Sequence, residues 1–264
     1  MILYFSGTGN SLAVARQLAE RLNEPLLSLY DAQDLTHEKR VGLVFPTYDF
    51  NLPPAVRMLV SKLTINPKAY VFAVITCGGQ AGNCVWTLRR MLREKGVTLA
   101  YSHKVRVPDN SALAFGRNPN KQLKKFERVP ARMEQIISEL QAEHHVLHYS
   151  SWSFLAWVMG MPKMEKGMVK MLGPKVNPDK CIGCNTCVRV CPQGNISLLK
   201  NTERSAGRVQ NTDKPLAAIG DNCTACLSCV HFCPQQALIT NGRETLKDRQ
   251  YHHPEIKLKD LLRR

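Results

Sequence analysis

Short apolar runs punctuate the first half of the chain. Ile2–Phe5, Val41–Phe45, Tyr70–Thr76 and Leu99–Val107 have the length and continuity of strands buried on both faces. Pro25–Leu29 predicts a weaker fifth strand. Between these runs, apolar residues recur at helical spacing over Ser11–Leu22, Pro54–Leu63 and Gly82–Lys95. A longer helix is predicted over Lys121–Ala142, bent at Pro130. Strands alternating with helices predict an α/β domain over residues 1–145, built on a doubly wound parallel sheet of five strands.

The pattern changes after residue 145. Residues 146–174 predict a helical linker, with Met161, Met164, Met168 and Met171 at helical spacing. Methionine fills irregular gaps, so the stripe reads as packing between domains. Trp152, Trp157 and nearby lysines leave a second reading open, peripheral contact of 152–171 with a membrane surface. The longest apolar stretch, Phe154 to Met161, is far too short for a transmembrane segment. Residues 175–240 form a third zone, and 241–264 a charged tail expected to be a solvated surface segment.

The third zone is an internal repeat. Cys181, Cys184, Cys187 and Cys191 precede Pro192, and Cys223, Cys226, Cys229 and Cys233 precede Pro234, at a constant offset of 42 residues. Each copy reads C-x2-C-x2-C-x3-C-P. Three cysteines at this spacing can wrap one face of an iron–sulfur cubane, while the fourth reaches the other cluster. The expected ligand sets are therefore Cys181, Cys184, Cys187 with Cys233, and Cys223, Cys226, Cys229 with Cys191. Zinc would accept C-x-x-C pairs, but it gives no reason for a third and fourth cysteine at these positions twice over. The segment resembles the bacterial two-cluster ferredoxins over about 65 residues, which implies a small α+β domain with two [4Fe–4S] clusters. Its spacer of 31 residues between Cys191 and Cys223 implies an inserted hairpin or loop around Asn201–Lys214.

A second chemical motif follows the first strand. Ser6-Gly7-Thr8-Gly9-Asn10-Ser11 leads into a helix, whose N-terminus favours a phosphate. A triphosphate-binding loop would end in Gly-Lys-Ser/Thr, and a dinucleotide loop would want a third glycine where Leu12 stands. Hydroxyls without a cation suit a terminal phosphomonoester. A bare strand–helix turn with serine and threonine caps is the structural alternative. Two further loops, Pro46–Pro54 and Thr76–Asn83, lie at strand carboxyl ends, where open parallel sheets bind ligands. Residues 1–145 resemble the flavodoxins through the Ser6–Ser11 pattern. The resemblance implies FMN, its phosphate on Ser6, Gly7, Thr8, Gly9, Asn10 and Ser11. It further implies Thr47 and Tyr48 at the isoalloxazine ring and Cys77, Gly78 and Gly79 at its pyrimidine edge. Many flavodoxins place an aromatic residue in this last loop. Its absence here leaves one ring face open for the cysteine-rich part or a partner.

The remaining candidates have plainer readings. Cys77 and Cys84 read as small buried filler, Asp49 and Asp109 as loop caps, and His144, His145 and His148 as a helix end with an exposed linker. The formal charge of +15 points to an anionic partner or to buried anionic cofactors. Two clusters and a flavin phosphate would lower it to about +9. The remainder suits an acidic redox protein. Nucleic acid is disfavoured because there is neither a helix-turn-helix nor a basic stripe interleaved with aromatics. Ten cysteines without a leader predict thiolate chemistry in a reducing cytoplasm rather than disulfides. The whole chain resembles the flavodoxin–ferredoxin fusion proteins of anaerobic bacteria and archaea. That implies an electron carrier with no catalytic residues of its own. A flavin-dependent reductase fed by the clusters is the alternative, but the flavin loops show no clear acid–base pair.

Overall fold

The computed structural model describes residues 1–111, 118–150, 167, 169–171, 173–199, 214–240, 243–244 and 250–262. Five strands form the first sheet: β1 (Ile2–Tyr4), β2 (Leu26–Ser28), β4 (Arg40–Pro46), β6 (Tyr70–Cys77) and β7 (Leu99–Arg106). Their order is β2-β1-β4-β6-β7 and every neighbouring pair is parallel. Winding outward in both directions from β1 is the flavodoxin-like order. The two short strands β3 (Asp34–Leu35) and β5 (Thr64–Ile65) pair beside it, an addition the hydrophobic pattern does not announce.

Side chains alternate across this sheet with period two. Leu43 and Phe45 join Ala73 and Ile75 on the face covered by α2 (Pro54–Lys62) and α3 (Cys84–Arg93). Val44 joins Phe72 and Val74 on the face covered by α1 (Asn10–Leu22) and α5 (Val129–Gln141). The predicted helix over Lys121–Ala142 is not one bent rod. It is α4 (Pro119–Leu123), a 3-10 turn (Lys124–Arg128) and then α5. Pro130 sits in the first turn of α5, where its missing N–H is harmless, so it starts a helix rather than kinking one.

The cysteine-rich half adds β8 (Pro174–Val176), α6 (Thr186–Val190), β9 (Ile196–Leu199), β10 (Leu216–Ile219), α7 (Ser228–His231), β11 (Leu238–Thr240) and β12 (Arg243–Glu244). β9 and β10 pair antiparallel, with Leu199 opposite Leu216, so the long spacer joins two hairpin strands. β8, β11 and β12 form a second antiparallel sheet. The residues of the spacer numbered 200–213 lie outside the described residues. So do Trp152, Trp157, Met161, Met164 and Met168, while Met171 is exposed. No described helix is long and apolar enough to cross a membrane.

The sequence repeat is a backbone repeat as well. Gly183 and Ala225, Asn185 and Leu227, and Gly194 and Gln236 form three pairs, each 42 residues apart and each with positive φ. Non-glycine residues resist this conformation, and it persists only where the surroundings impose it.

The tail is not a solvated segment over 250–262. Tyr251 and Ile256 are buried at 4% and 1% exposure. The Gln250 amide donates to the carbonyls of Val230 and Cys233 at 2.8 and 2.9 Å. The His253 amide donates to Thr8 O at 2.8 Å, and Asp260 pairs with Arg16 at 3.0 Å. The charged residues point outward and the apolar ones strap the cysteine-rich half to the Ser6–Ser11 loop. Ile256→Ala should cost about 2–5 kcal/mol. Hydrogen exchange should show it as faster opening of 250–262; exchange at the wild-type rate would mean that the tail is held elsewhere.

Candidate functional site

The Ser6–Ser11 loop spans the gap between β1 and α1. The Gly9 amide donates to Ser6 Oγ at 3.1 Å, which closes the turn. Gly9 has φ of 99°, a conformation open to glycine, and a side chain there would strike Ile256. No side chain caps α1 and its first turn holds no acid, so its amides keep their affinity for an anion. Ser11 Oγ lies 2.7 Å from Thr76 Oγ1, and the Asn10 side chain donates to Pro108 O at 3.2 Å. The carboxyl ends of three strands are thereby tied together.

These strand ends enclose a cavity of about 620 Å³. Ser6, Gly7, Thr8, Asn10, Ser11, Thr47, Tyr48, Cys77, Gly78 and Gly79 all line it. Gly9 does not line it, because it turns towards Ile256. Tyr48 is set by a tight turn in which its backbone exchanges hydrogen bonds with Asn51 at 3.0 and 2.8 Å. Gly78 lies so close to Asp109 that a methyl group there would sit 2.4 Å from Asp109 Cβ. Asp109 is also a loop cap, since its Oδ1 accepts the Ser111 amide at 2.9 Å.

Several lining residues carry no sequence signal. Phe50 is exposed beside Tyr48. Lys125, 47 residues beyond Gly78, donates to its carbonyl at 2.6 Å. Burial pulls the Lys125 ammonium below the usual lysine range, and the neighbouring Asp109 opposes that shift. Thr224, Ala225 and Leu227 reach the cavity from the cysteine-rich half. Only tertiary contact could reveal these, because nothing local links them to the glycine-rich loop. Burial pushes the thiols of Cys77 and Cys84 up to about 11 and 12, so both are protonated filler at neutral pH.

The eight repeat cysteines surround two small cavities. Cys181, Cys184, Cys187 and Cys233 line one, and Cys191, Cys223, Cys226 and Cys229 line the other. The remaining walls are largely apolar, with Ile182, Leu198 and Leu238 at the first and Ile196, Ile219 and Leu227 at the second. Backbone amides aim at the sulfurs: Asn195 N to Cys191 Sγ at 3.3 Å and Ala237 N to Cys233 Sγ at 3.2 Å. Burial first and neighbouring cysteines second push Cys187 up to about 11. Burial likewise pushes Cys226 up to about 11. Four thiolates gathered in one small cavity repel one another, and a positively charged core such as an iron–sulfur cubane would offset that repulsion.

The two quartets face different ways. The loop carrying Cys226 packs on the first domain: Ser228 Oγ donates to Gly7 O at 2.9 Å, and Asn110 Nδ2 donates to Thr8 Oγ1 at 3.2 Å and to Cys226 O at 3.4 Å. The Tyr30 hydroxyl donates to Pro192 O, beside Cys191. Buried His231 closes the seam, its Nε2–H donating to Asn110 O at 2.7 Å and its Nδ1 accepting the Tyr251 amide at 3.0 Å. Burial lowers this imidazole to about 4, so it is neutral. In the other quartet Cys184 is exposed, and Ile182 beside it is 47% exposed.

Gly7 sits at a tight point of the seam. A methyl group there would lie 2.8 Å from the Tyr48 hydroxyl and 3.0 Å from Ser228 Oγ. Gly7→Ala should force the seam apart at a cost of about 1–3 kcal/mol. Hydrogen exchange over 223–232 should rise while β4 and β6 stay protected; unchanged exchange there would mean that the seam absorbs the methyl group.

Residues 180–237 match the family model described as the 4Fe-4S dicluster domain. No curated protein matches the chain. Similar solved structures include the two-electron reduced flavodoxin of Megasphaera elsdenii, at 20% identity, 42% coverage of this chain, 89% of that one, and a TM-score of 0.34. They also include a flavodoxin from the domain Archaea, at 17% identity, 52% and 96% coverage, and a TM-score of 0.34. A Streptococcus pneumoniae TIGR4 flavodoxin is 16% identical, with 54% and 97% coverage and a TM-score of 0.36. The chain thus joins an α/β domain with flavodoxin-like strand order to a segment, residues 180–237, that matches the 4Fe-4S dicluster domain.

Proposed function

We propose that this protein transfers electrons between FMN, two [4Fe–4S] clusters and an external redox protein. One observation carries the reading: Thr224, Ala225 and Leu227, interleaved with Cys223 and Cys226, wall the same cavity as the Ser6–Ser11 loop. The cysteine loop and the phosphate-type loop thus build one site.

The uncapped amides of α1 and the hydroxyls of Ser6, Thr8 and Ser11 would hold the flavin phosphate, Thr47 and Tyr48 would border the ring, and Cys77–Gly79 would meet its pyrimidine edge. Cys181, Cys184, Cys187 and Cys233 would ligate one cluster. Cys223, Cys226, Cys229 and Cys191 would ligate the other, on the flavin side. A bound flavin exchanges one or two electrons and each cluster exchanges one, so together they can split or collect an electron pair. The chain itself fixes distances, excludes water through apolar walls and aims amides at sulfur. It sets the loop of one quartet, through Thr224, Ala225 and Leu227, against the cavity and the other quartet, through Cys184 and Ile182, towards solvent. That is the arrangement of a relay with an inner and an outer end. The basic surface suits an acidic partner, and the free thiols the quartets need suit a reducing cytoplasm.

A reductase is a second reading, favoured by Lys125 and Asp109. Both line the cavity, and together they offer a proton donor and acceptor within it. NAD(P)H oxidation by the pure protein would favour this reading over the carrier.

Anaerobically purified protein should contain about eight irons and one FMN per chain; four or fewer irons, or no flavin, overturns the proposal. Cys184→Ala should abolish one of the two reduced-cluster EPR signals and leave the flavin absorbance intact. Loss of both signals would show that the quartets do not assemble independently.

A further inference from the structure

The two cysteine loops differ in how easily they hold the same shape. In the first copy Gly183 and Asn185 take positive φ, at 68° and 66°. Both residue types tolerate a left-handed backbone. The second copy places Ala225 and Leu227 at these positions, with φ of 50° and 61°. Their β-carbons disfavour that conformation, so the Cys223–Ser228 loop keeps it only under outside restraint. Thr224 adds to the cost, because its hydroxyl is buried without a hydrogen-bond partner among the described residues.

This costly loop is also a shared wall. Thr224 and Leu227 line both the cavity of Cys191, Cys223, Cys226 and Cys229 and the larger cavity at the strand ends. Ala225 lines the larger one as well. Two contacts restrain the loop from the first domain, Ser228 Oγ to Gly7 O at 2.9 Å and Asn110 Nδ2 to Cys226 O at 3.4 Å. On its other side Cys223, Cys226 and Cys229 line the quartet cavity, and the Ala225 amide donates to Cys223 Sγ at 3.4 Å. A core bound by these three thiolates and Cys191 would fasten the loop along its whole length.

We propose that filling this quartet completes the wall of the strand-end cavity, so that cluster loading and FMN binding strengthen each other. The proposal rests on the reading that the quartets hold [4Fe–4S] clusters and the cavity holds FMN. Whatever fixes the left-handed loop lowers the cost of binding on both of its faces, and such coupling is reciprocal. The quartet of Cys181, Cys184, Cys187 and Cys233 takes no part. Its loop does not reach the strand-end cavity, and glycine and asparagine hold its shape.

The test uses the full chain, purified anaerobically, freed of flavin and titrated with FMN by fluorescence quenching. Cys226→Ala disables the shared-wall quartet and should weaken FMN binding by about tenfold or more. Cys184→Ala removes the corresponding ligand of the other quartet and should leave FMN affinity as in wild type. Glycine accepts the left-handed backbone that alanine resists. Adding Ala225→Gly to Cys226→Ala should therefore restore part of the lost affinity. Wild-type FMN affinity in Cys226→Ala, an equal loss in Cys184→Ala, or no recovery with Ala225→Gly each overturns the proposal. If Cys226→Ala does not fold, FMN titration of the wild-type chain before and after iron chelation decides, and unchanged affinity overturns it. Failure of the wild-type chain to hold iron or FMN would instead refute the cofactor reading beneath it.

Discussion

The contact on which this arrangement depends is the hydrogen bond from Ser228 to the carbonyl of Gly7. It joins the first residue of a cysteine-loop helix to the first glycine of a phosphate-type loop, 221 residues apart in the chain. Everything around it serves close approach. Gly7 has no side chain, Ser228 is fully buried, and Asn110 bridges Thr8 to Cys226. Close approach of the two halves here is a matter of one missing Cβ and one small hydroxyl.

The second constraint is the repeat. Its two copies share not only cysteines but also left-handed backbone positions and amide–sulfur contacts, each 42 residues apart. Chemically equivalent quartets nevertheless have different surroundings. The copy at Cys223–Cys229 is pressed against the flavodoxin-like domain, while the copy at Cys181–Cys187 keeps Cys184 exposed. Clusters held by equal ligands in such unequal surroundings would acquire different potentials. The tail reinforces this asymmetry, because Gln250 and Tyr251 grip the cysteine-rich half while His253 and Ile256 grip the phosphate-type loop.

The cavity at the strand ends is more polar at one end than its loops suggest. Lys125 enters from the 3-10 turn and holds Gly78 by its carbonyl, with Asp109 packed beside it. These groups bring opposite charges to the expected pyrimidine edge, where charge on a reduced flavin would be felt.

Much was legible in the sequence because the signals are local. Apolar runs marked the central strands β1, β4 and β6, since a strand buried on both faces is mostly apolar, while the weaker Pro25–Leu29 signal corresponds to the half-buried edge strand β2. The cysteine spacing gave both quartets, since a cubane dictates which thiols a short loop can present. The Ser6–Ser11 loop was visible because small residues must precede an anion-binding helix. Three features escaped for the opposite reason. Pro130 begins a helix instead of bending one, because its effect depends on where the preceding turn ends. The tail reads as solvated by composition, yet Tyr251 and Ile256 bury themselves against partners far away in the chain. Which quartet packs on the Ser6–Ser11 loop is undecidable from two near-identical repeats. Only tertiary packing, which seats Ser228 rather than its counterpart Thr186 on Gly7, breaks that symmetry.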